Sequence, residues 1–482
     1  MIELEEGDEM ATRVVWFRRD LRLNDHTALA KALEHTEKDD QILLMFHIHP
    51  ALNKEFTVRH DYFFQTLKSL VDQAHGLGAP IHFLDGDLKE ALQTLKSKVE
   101  AESVYFNIDE TGFGWKRDQE ILAYLEEELN VKTFTYQDHH LHGADEVTKK
   151  DGGYYKVFTP YYKSWKDLQK PAVQKVDHEL LKKAAVNDTE NFDSKAYENL
   201  ISKIDRSFEG VGEKDAMDRL EQFLDSAIYD YDKERDFPAV DGTSLMSRYL
   251  RTGAISIRTV YHRIHDQVNF RKNTEGVETY ISELAWRDFY NMIYHFYPNA
   301  SDKEMVEKYQ GLDWNDDEEL FEQWKEGRTG FPIIDAAIRQ LNESGWMHNR
   351  LRMAVASFLT KDLLMDWRKG ERYFAERLVD YDPASNIGGW QWAASTGTDP
   401  VPYFRVFNPT RQSERFDPHG RFIKEWIPEL ENVKKKYIHE PSKMPESEQE
   451  KADCIIGEDY PEPMVDHKTM RERAIEMFKK EK

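Results

Sequence analysis

Five short apolar runs, VVWF (14–17), ILLMFHI (42–48), PIHFL (80–84), SVYFNI (103–108) and VKTFTY (131–136), punctuate the first part of the chain. Between them lie segments with apolar residues at helical spacing, such as HDYFFQTLKSLVDQAHG (60–76) and LKEALQTLKSKVEAE (88–102). Strands recurring roughly every thirty residues with a helix between them pair in parallel, which covers both sheet faces with helices. Residues 10–142 are therefore expected to form a doubly wound α/β domain. The segment has no Gly-rich dinucleotide fingerprint and no phosphate loop ending in Gly-Lys-Ser/Thr. A nucleotide cofactor is not expected to be held there by the Rossmann route.

The period then changes. Residues 143–215 are polar and charge-rich, with scattered aromatics such as Tyr154, Tyr155, Tyr161 and Tyr162, and read as a long surface connector, extended in part and helical in part. From 216 onward, AMDRLEQFLDSAIYDY, TYISELAWRDFYNMIYHFY, FPIIDAAIRQL and MAVASFLTKDLLMDW repeat apolar residues at helical spacing. Residues 216–482 are expected to form a larger all-α domain, which holds eight of the eleven tryptophans. PSKMPESEQEKADC (441–454) reads as a polar surface passage. The first nine residues, with five acids and no base, read as a disordered extension or as the result of a start codon upstream of Met10.

Composition limits the partners. No run of about 18 apolar residues and no signal-peptide pattern occur, so a soluble, cytoplasmic protein without a membrane partner is expected. Cys454 is the only cysteine, which excludes an internal disulfide framework and a Cys-based metal cluster. A net charge of −24 argues against nucleic acid when taken over the whole chain. Residues 346–372, however, carry six basic side chains against three acidic ones. That pattern suits a local positive face on an acidic body as well as an ordinary solvated helix face. His139, His140 and His142 cluster without a spaced carboxylate or cysteine, and a linker turn is expected there rather than a metal site.

The densest chemistry lies in DYDPASNIGGWQWAASTGTDPVPYFRVFNP (380–409), which lacks the periodicity of a plain core helix. Read alone, Asp380 and Asp382 suit a solvated helix end, and Trp390 and Trp392 suit a core. The upstream stretch GWMHNRLRMAVASFLTKDLLMDW (345–367) places Asn349, Arg350, Arg352 and Met353 on one helical turn and leads to Trp367. An Arg meeting a carboxylate in a buried cavity is costly and is usually kept for a charged ligand or a redox group. In GTSLMS (242–247) a turn precedes a helix start, with Thr243 or Ser244 as the natural cap. An ordinary cap is the default reading, and an anion site is the alternative.

Together with RDFPAVDGTSLMSRYLRTGAIS (235–256) and SELAWRDFYNMIYHFYP (282–298), these stretches resemble the photolyase and cryptochrome flavoproteins, closest to the bacterial class I cyclobutane pyrimidine dimer photolyases. The resemblance runs from Thr12 to His467. It implies FAD with its diphosphate on Thr243, Ser244, Leu245, Met246 and Ser247, and Tyr231 and Tyr280 nearby. Arg352, Asp380, Tyr381 and Asp382 would surround the flavin ring, Asn386 would face its N5, and Glu283 and Asn349 would border the cofactor. Trp390, Trp367 and Trp314 match the family's electron-carrying chain. Trp286, Trp392 and Tyr290 would line a pocket for a flipped-out dimer, contacted also by Glu283, Asn349 and Met353, with Arg287, Arg350 and Arg405 on phosphates.

The implied reaction is light-driven repair of cyclobutane pyrimidine dimers in DNA by an electron from reduced FAD, carried out by a monomer in the bacterial cytoplasm. A second, antenna chromophore of folate or deazaflavin type would contact Asn107, Asp109 and Glu110. Phe113 and Gly114 stand where folate-binding members carry an Asn-Glu pair, which leaves the antenna open. Two rivals are a blue-light signalling protein and a (6-4) photolyase. Asn386 stands where plant-type photoreceptors carry Asp, and the chain is expected to lack a long signalling tail. Asn349 and Met353 stand where (6-4) enzymes carry His.

Overall fold

The computed structural model describes residues 11–53, 56–187, 194–268 and 274–480; the acidic stretch 1–9 lies outside the described residues. The chain divides into two compact units, each assembled from separate segments. The first comprises residues 1–146, 167–224 and 245–268, and the second comprises 147–166, 225–244 and 269–482.

The first unit is built on five strands, β1 (Thr12–Phe17), β2 (Gln41–Ile48), β3 (Ile81–Asp85), β4 (Ala101–Asn107) and β5 (Lys132–Tyr136), close to the five apolar runs. They pair in parallel in the order β3-β2-β1-β4-β5. Side chains alternate between faces, so each central strand serves two cores. Val15, Phe17, Leu44 and Phe46 pack with helices α1 (Thr27–Glu34) and α2 (Val58–Leu77). Val14, Trp16, Leu43 and Met45 pack with α3 (Leu88–Val99) on the other face, where Ile121 of α4 (Gly112–Ala123) joins them. The stretch expected as a surface connector enters these cores too. Leu181 and Leu200 are buried in the face of β1 and β2, and the amide of Val186 donates to the carbonyl of Ile42 at 2.9 Å.

A buried charge network closes this unit. Asp138 accepts from Arg22 Nη2 at 2.5 Å, from Arg258 Nη2 at 2.7 Å and from the Thr27 hydroxyl at 2.6 Å. Arg258 in turn donates to Asp25 at 3.0 Å. Burial alone would raise the Asp138 carboxyl, but Arg22 and Arg258 hold it well below the usual carboxylate range. His139, His140 and His142, expected in a linker turn without carboxylates, are buried beside three of them. They lie 3.7, 3.1 and 3.2 Å from Asp109, Glu110 and Glu146. Two of the pairs form because the chain returns past the strand ends, bringing His139 and His140 to Asp109 and Glu110 thirty positions back, whereas Glu146 lies only four positions from His142. Among the described residues no group of three or more His, Cys, Asp or Glu is placed to hold a metal ion.

The second unit is helical. Its main elements are α5 (Phe158–Asp167), α6 (Thr274–Phe296), α7 (Asn349–Ser357), α8 (Trp367–Arg377), α9 (Pro383–Ala394) and α10 (His467–Lys480). Among the described residues no helix is long and apolar enough to cross a membrane. The passage 441–454 is less of a surface feature than its composition implies, since Met444, Ala452 and Cys454 join the main core.

Replacing Asp138 with alanine leaves Arg22 and Arg258 buried without their shared counter-charge, an arrangement that typically costs about 3–5 kcal/mol. The folded carboxyl is depressed, so its contribution is present above its unfolded value of about 4 and is lost as pH falls below that. Thermal unfolding of Asp138→Ala is therefore expected well below the wild type at neutral pH, with the gap narrowing in acid.

Candidate active site

Helix α6 carries Tyr280, Glu283, Trp286, Arg287 and Tyr290 at steps of three and four, which aligns them on one side. Glu283 Oε1 accepts from Arg235 Nη1 at 2.5 Å. The next residue, Asp236, accepts from Arg350 Nη2 at 2.8 Å and Nε at 3.2 Å. Since Arg350 opens α7, two adjacent side chains of opposite charge tie α6 to α7. Burial raises the Glu283 carboxyl, with Arg235 opposing it, and partial burial together with Glu283 raises the half-buried Tyr231 phenol. His348 caps α7 by accepting from the Arg350 amide at 3.2 Å. Burial lowers its imidazole to about 4, so it remains a neutral acceptor at physiological pH. On the first turn of α7, exposed Asn349 brings its amide nitrogen 3.9 Å from the sulfur of Met353.

A second cluster gathers around α8 and α9. Arg352 donates to Asp380 Oδ2 at 2.8 Å and to the Met347 carbonyl at 2.8 Å. Asp380 is 5 % exposed, yet its other oxygen, Oδ1, is buried without a hydrogen-bond partner among the described residues. Asn386 donates to the Glu371 carbonyl at 3.3 Å and to Glu371 Oε1 at 3.1 Å. A backbone carbonyl only accepts, so the amide must turn its nitrogen toward Glu371 and its oxygen away. Tyr381 donates to the same carboxylate at 3.0 Å.

Two expectations are corrected here. The stretch 380–409 contains a regular helix, α9, whose apolar residues surround a Gly pair and so hide its period. Asp382 is the N-cap of α9, its Oδ1 accepting from the Ser385 amide at 3.0 Å. The cap of the helix Met246–Thr252 is neither Thr243 nor Ser244 but Leu245, in the left-handed conformation at φ 58° and without a side-chain bond. Ser244 instead accepts from the Tyr280 hydroxyl at 3.0 Å, and Tyr231 stands edge-on to Tyr280 at 5.2 Å. Thr243 and Ser244 belong to the helical unit, and Leu245, Met246 and Ser247 to the α/β unit.

Trp390 and Trp367 are buried in one core, and half-buried Trp314 packs against it. Trp367 Nε1 donates to Glu304 at 3.2 Å. Trp314 lies 6.3 Å from Phe478 of α10. The Trp390 ring presses on Gly370 of α8, where a Cβ would overlap it. Trp286 does not offer both faces to a ligand: Phe158 stacks on it with ring centroids 3.6 Å apart. Trp392 is half-buried and lies 6.3 Å from Phe407. Of the phosphate candidates, Arg405 is exposed, Arg287 is half-buried, and Arg350 is committed to Asp236.

In the α/β unit the strand order reverses between β1 and β4, the place where doubly wound sheets bind ligands. Asn107, Asp109 and Glu110, expected to contact an antenna, make internal bonds there. Asn107 donates to Asp20 at 2.8 Å. Asp109 is paired with Arg19 and Arg117 at 2.5 and 2.8 Å. Glu110 accepts from the Ala144 amide at 2.7 Å and faces His140. Burial raises the Glu110 carboxyl, but His140 brings it down to about 2. Phe113 is 67 % exposed, and the Asp109 carboxylate presses against Gly114.

Sequence reasoning missed Phe158, Arg235, Asp236, His348 and Glu371. Arg235 and Asp236 stood inside a quoted motif, but adjacent opposite charges look the same on any solvated surface.

The chain is similar to known proteins along nearly its whole length. Residues 13–178 match the DNA photolyase family, and residues 280–480 match the FAD binding domain of DNA photolyase. A deoxyribodipyrimidine photo-lyase of Alkalihalophilus pseudofirmus is 46% identical over 479 residues, covering 98% of this chain and 99% of that one. The crystal structure of a bacterial class III photolyase from Agrobacterium tumefaciens superposes with a TM-score of 0.90 at 32% identity, covering 99% of both chains. An archaeal photolyase from Sulfolobus tokodaii with two FAD molecules superposes with a TM-score of 0.82 at 31% identity, covering 97% of this chain and 100% of that one. The chain belongs to the photolyase/cryptochrome family and carries its FAD binding domain. The donor set suits such a cofactor: a buried carboxylate oxygen without a partner accepts ring N–H groups, and a fixed guanidinium beside it stabilises negative charge.

Gly370→Ala would drive a methyl group into Trp390 and Leu359. Overpacking of this kind typically costs about 1–3 kcal/mol, and a lower thermal unfolding temperature, with tryptophan fluorescence altered by displacement of Trp390, is the expected result.

Proposed function

We propose that this chain is a deoxyribodipyrimidine photo-lyase that repairs cyclobutane pyrimidine dimers in DNA under blue or near-ultraviolet light. The observation that carries the reading is the pair of bonds from Arg235 to Glu283 and from Arg350 to Asp236. They link α6, which carries Glu283 and Trp286, to α7, which carries Asn349 and Met353, and this supports reading the four as one site. Bound FAD, when reduced and excited, supplies the electron that opens the cyclobutane ring and that returns afterwards without net redox change. Its diphosphate would be held by Thr243 and Ser244, with Tyr231 and Tyr280 nearby, and its ring by Arg352, Asp380, Tyr381, Asp382 and Asn386.

The residues divide the work by their chemistry. Arg352, locked by Asp380, is a fixed cation that needs no reorganisation when negative charge develops beside it. Asn386 presents an amide, which cannot release a proton as a carboxylic acid would. Glu283 and Asn349 hydrogen-bond the pyrimidine edges. Met353 packs on an uncharged dimer that needs no acid to open. Trp286, Tyr290 and Trp392 line the pocket into which the dimer is flipped, and stacking on one exposed indole face is compatible with the Phe158 contact on the other. Arg287, Arg350 and Arg405 position the backbone phosphates. Trp314, Trp367 and Trp390 relay an electron inward from the protein surface.

In the α/β unit an antenna chromophore would sit at the reversal of strand order. Asn107, Asp109 and Glu110 are already bonded internally, so such a molecule would be held largely by other groups; the Sulfolobus relative's two FAD molecules extend the candidates beyond folate and deazaflavin. The protein acts as a monomer in the bacterial cytoplasm. Asn349 and Met353 favour cyclobutane dimers over (6-4) lesions, and Asn386 favours repair over signalling.

Purified, reduced protein is expected to repair a cyclobutane thymine dimer in an oligonucleotide in the light and not in the dark. A flavin-loaded protein inactive in both conditions would overturn the reading. Trp286→Ala is expected to weaken binding of dimer-containing DNA by about 1–3 kcal/mol, the usual worth of a base–aromatic stack.

A further inference from the structure

The contact between Phe158 and Trp286 is the closest parallel aromatic pair among the described residues, at 3.6 Å between centroids and 9° between planes. Phe158 lies outside the motifs that carry the family likeness, in the stretch whose composition reads as a surface connector. Phe158 is 9 % exposed, and Tyr162, one turn further along α5, stacks on it at 5.6 Å and 12°. Phe289 stands edge-on to both partners, 5.7 Å from Phe158 and 5.5 Å from Trp286. Trp286 is thus backed on one face and braced at its edge, and an indole on a half-exposed helix side is held in one orientation.

The same residue reaches the other wall through its backbone. The Phe158 amide donates to Asp399 Oδ2 at 3.2 Å. Asp399 lies in the loop that follows α9, in the left-handed conformation at φ 46°. That loop returns to the helix end, where the Val401 amide donates to the Trp392 carbonyl at 3.3 Å. One residue therefore fixes Trp286 by its ring and the Trp392 loop by its N–H group.

We propose that Phe158 is a positioning residue for lesion recognition, setting the orientation of Trp286 and its separation from Trp392 before DNA arrives. The inference rests on the assignment of these tryptophans as the lesion pocket. Phe158 touches no substrate. It removes freedom that Trp286 would otherwise lose on binding, so its effect falls on affinity for the dimer and not on the light-driven step. It discriminates damaged from undamaged DNA because only a flipped base pair meets the tryptophans.

The test compares Phe158→Leu, Phe158→Ala, Phe158→Tyr and Trp286→Ala in the full-length, flavin-loaded protein. Two quantities are read: dark binding to a duplex with one thymine dimer and to its undamaged counterpart, and the repair rate at saturating damaged DNA under light. Phe158→Leu and Phe158→Ala are expected to weaken dimer binding about 2- to 12-fold, the range for freeing one immobilised side chain. Undamaged-DNA binding and the saturating repair rate should not change, and Phe158→Tyr, which keeps the flat ring, should restore wild-type affinity. Dimer binding by Phe158→Leu equal to wild type, with Trp286→Ala weakened, would overturn the proposal and leave the pocket standing. Equal losses on both duplexes would overturn it as well. An unchanged Trp286→Ala would overturn the pocket assignment itself. Should the alanine variant fail to fold, the leucine variant, which preserves most of the bulk, decides the matter.

Discussion

Adjacent residues of opposite charge, Arg235 and Asp236, hold the helices of the candidate pocket in register. Neither ion pair is fully buried: the Arg235 and Glu283 side chains are 36% and 33% exposed. Pairs of this kind contribute modestly to stability. Their importance here is geometric. One peptide unit separates the two anchors, so α6 and α7 cannot drift apart without breaking one bond or twisting that unit. Removing Arg235 would leave Glu283 facing the partial burial that already raises its carboxyl. Arg352 and Asp380 repeat the device one layer away, with a carboxylate that is almost fully enclosed.

The α/β unit handles charge differently. Around Asp138, Arg22 and Arg258 the side chains are 3% exposed or less, and the network is satisfied by hydrogen bonds to carbonyls and hydroxyls as well as by opposite charge. Such a network tolerates no missing member, since a low dielectric magnifies both the pairing and the penalty for losing it. It occupies the strand ends where a sheet of this topology has room for a ligand. The chain's acidic total is therefore a poor guide to any one place in it. Much of the positive charge near the candidate sites is already neutralised by named carboxylates.

The periodicity of the chain made both architectures legible. Strands at period two with buried faces on both sides leave an unmistakable run of Val, Ile, Leu and Phe, and four of the five runs overlap their strands almost residue for residue. Helix α9 was obscured because a helix buried nearly all round has no polar stripe, and Gly388 and Gly389 interrupt what remains. Asn349, Arg350, Arg352 and Met353 could be grouped because they share one turn. What escaped were partners distant in sequence: Glu371 beneath Asn386, Asp399 on Phe158, and Asp109 and Glu110 beside His139 and His140. No local pattern encodes such meetings, and polar residues in a connector look alike whether they end on the surface or in a core.

The interleaving of the two units bears on how the protein is made. Asp138 leaves the ribosome long before Arg258, yet the first unit is complete only when both are present. Phe158 must likewise wait for Trp286 and Asp399. An N-terminal fragment ending near residue 142 would expose a half-neutralised carboxylate and lack the strand-covering residues Leu181 and Leu200. Completion of the first unit thus waits until segments from well beyond the sheet have been synthesised, which lengthens the interval in which its apolar strands stay uncovered.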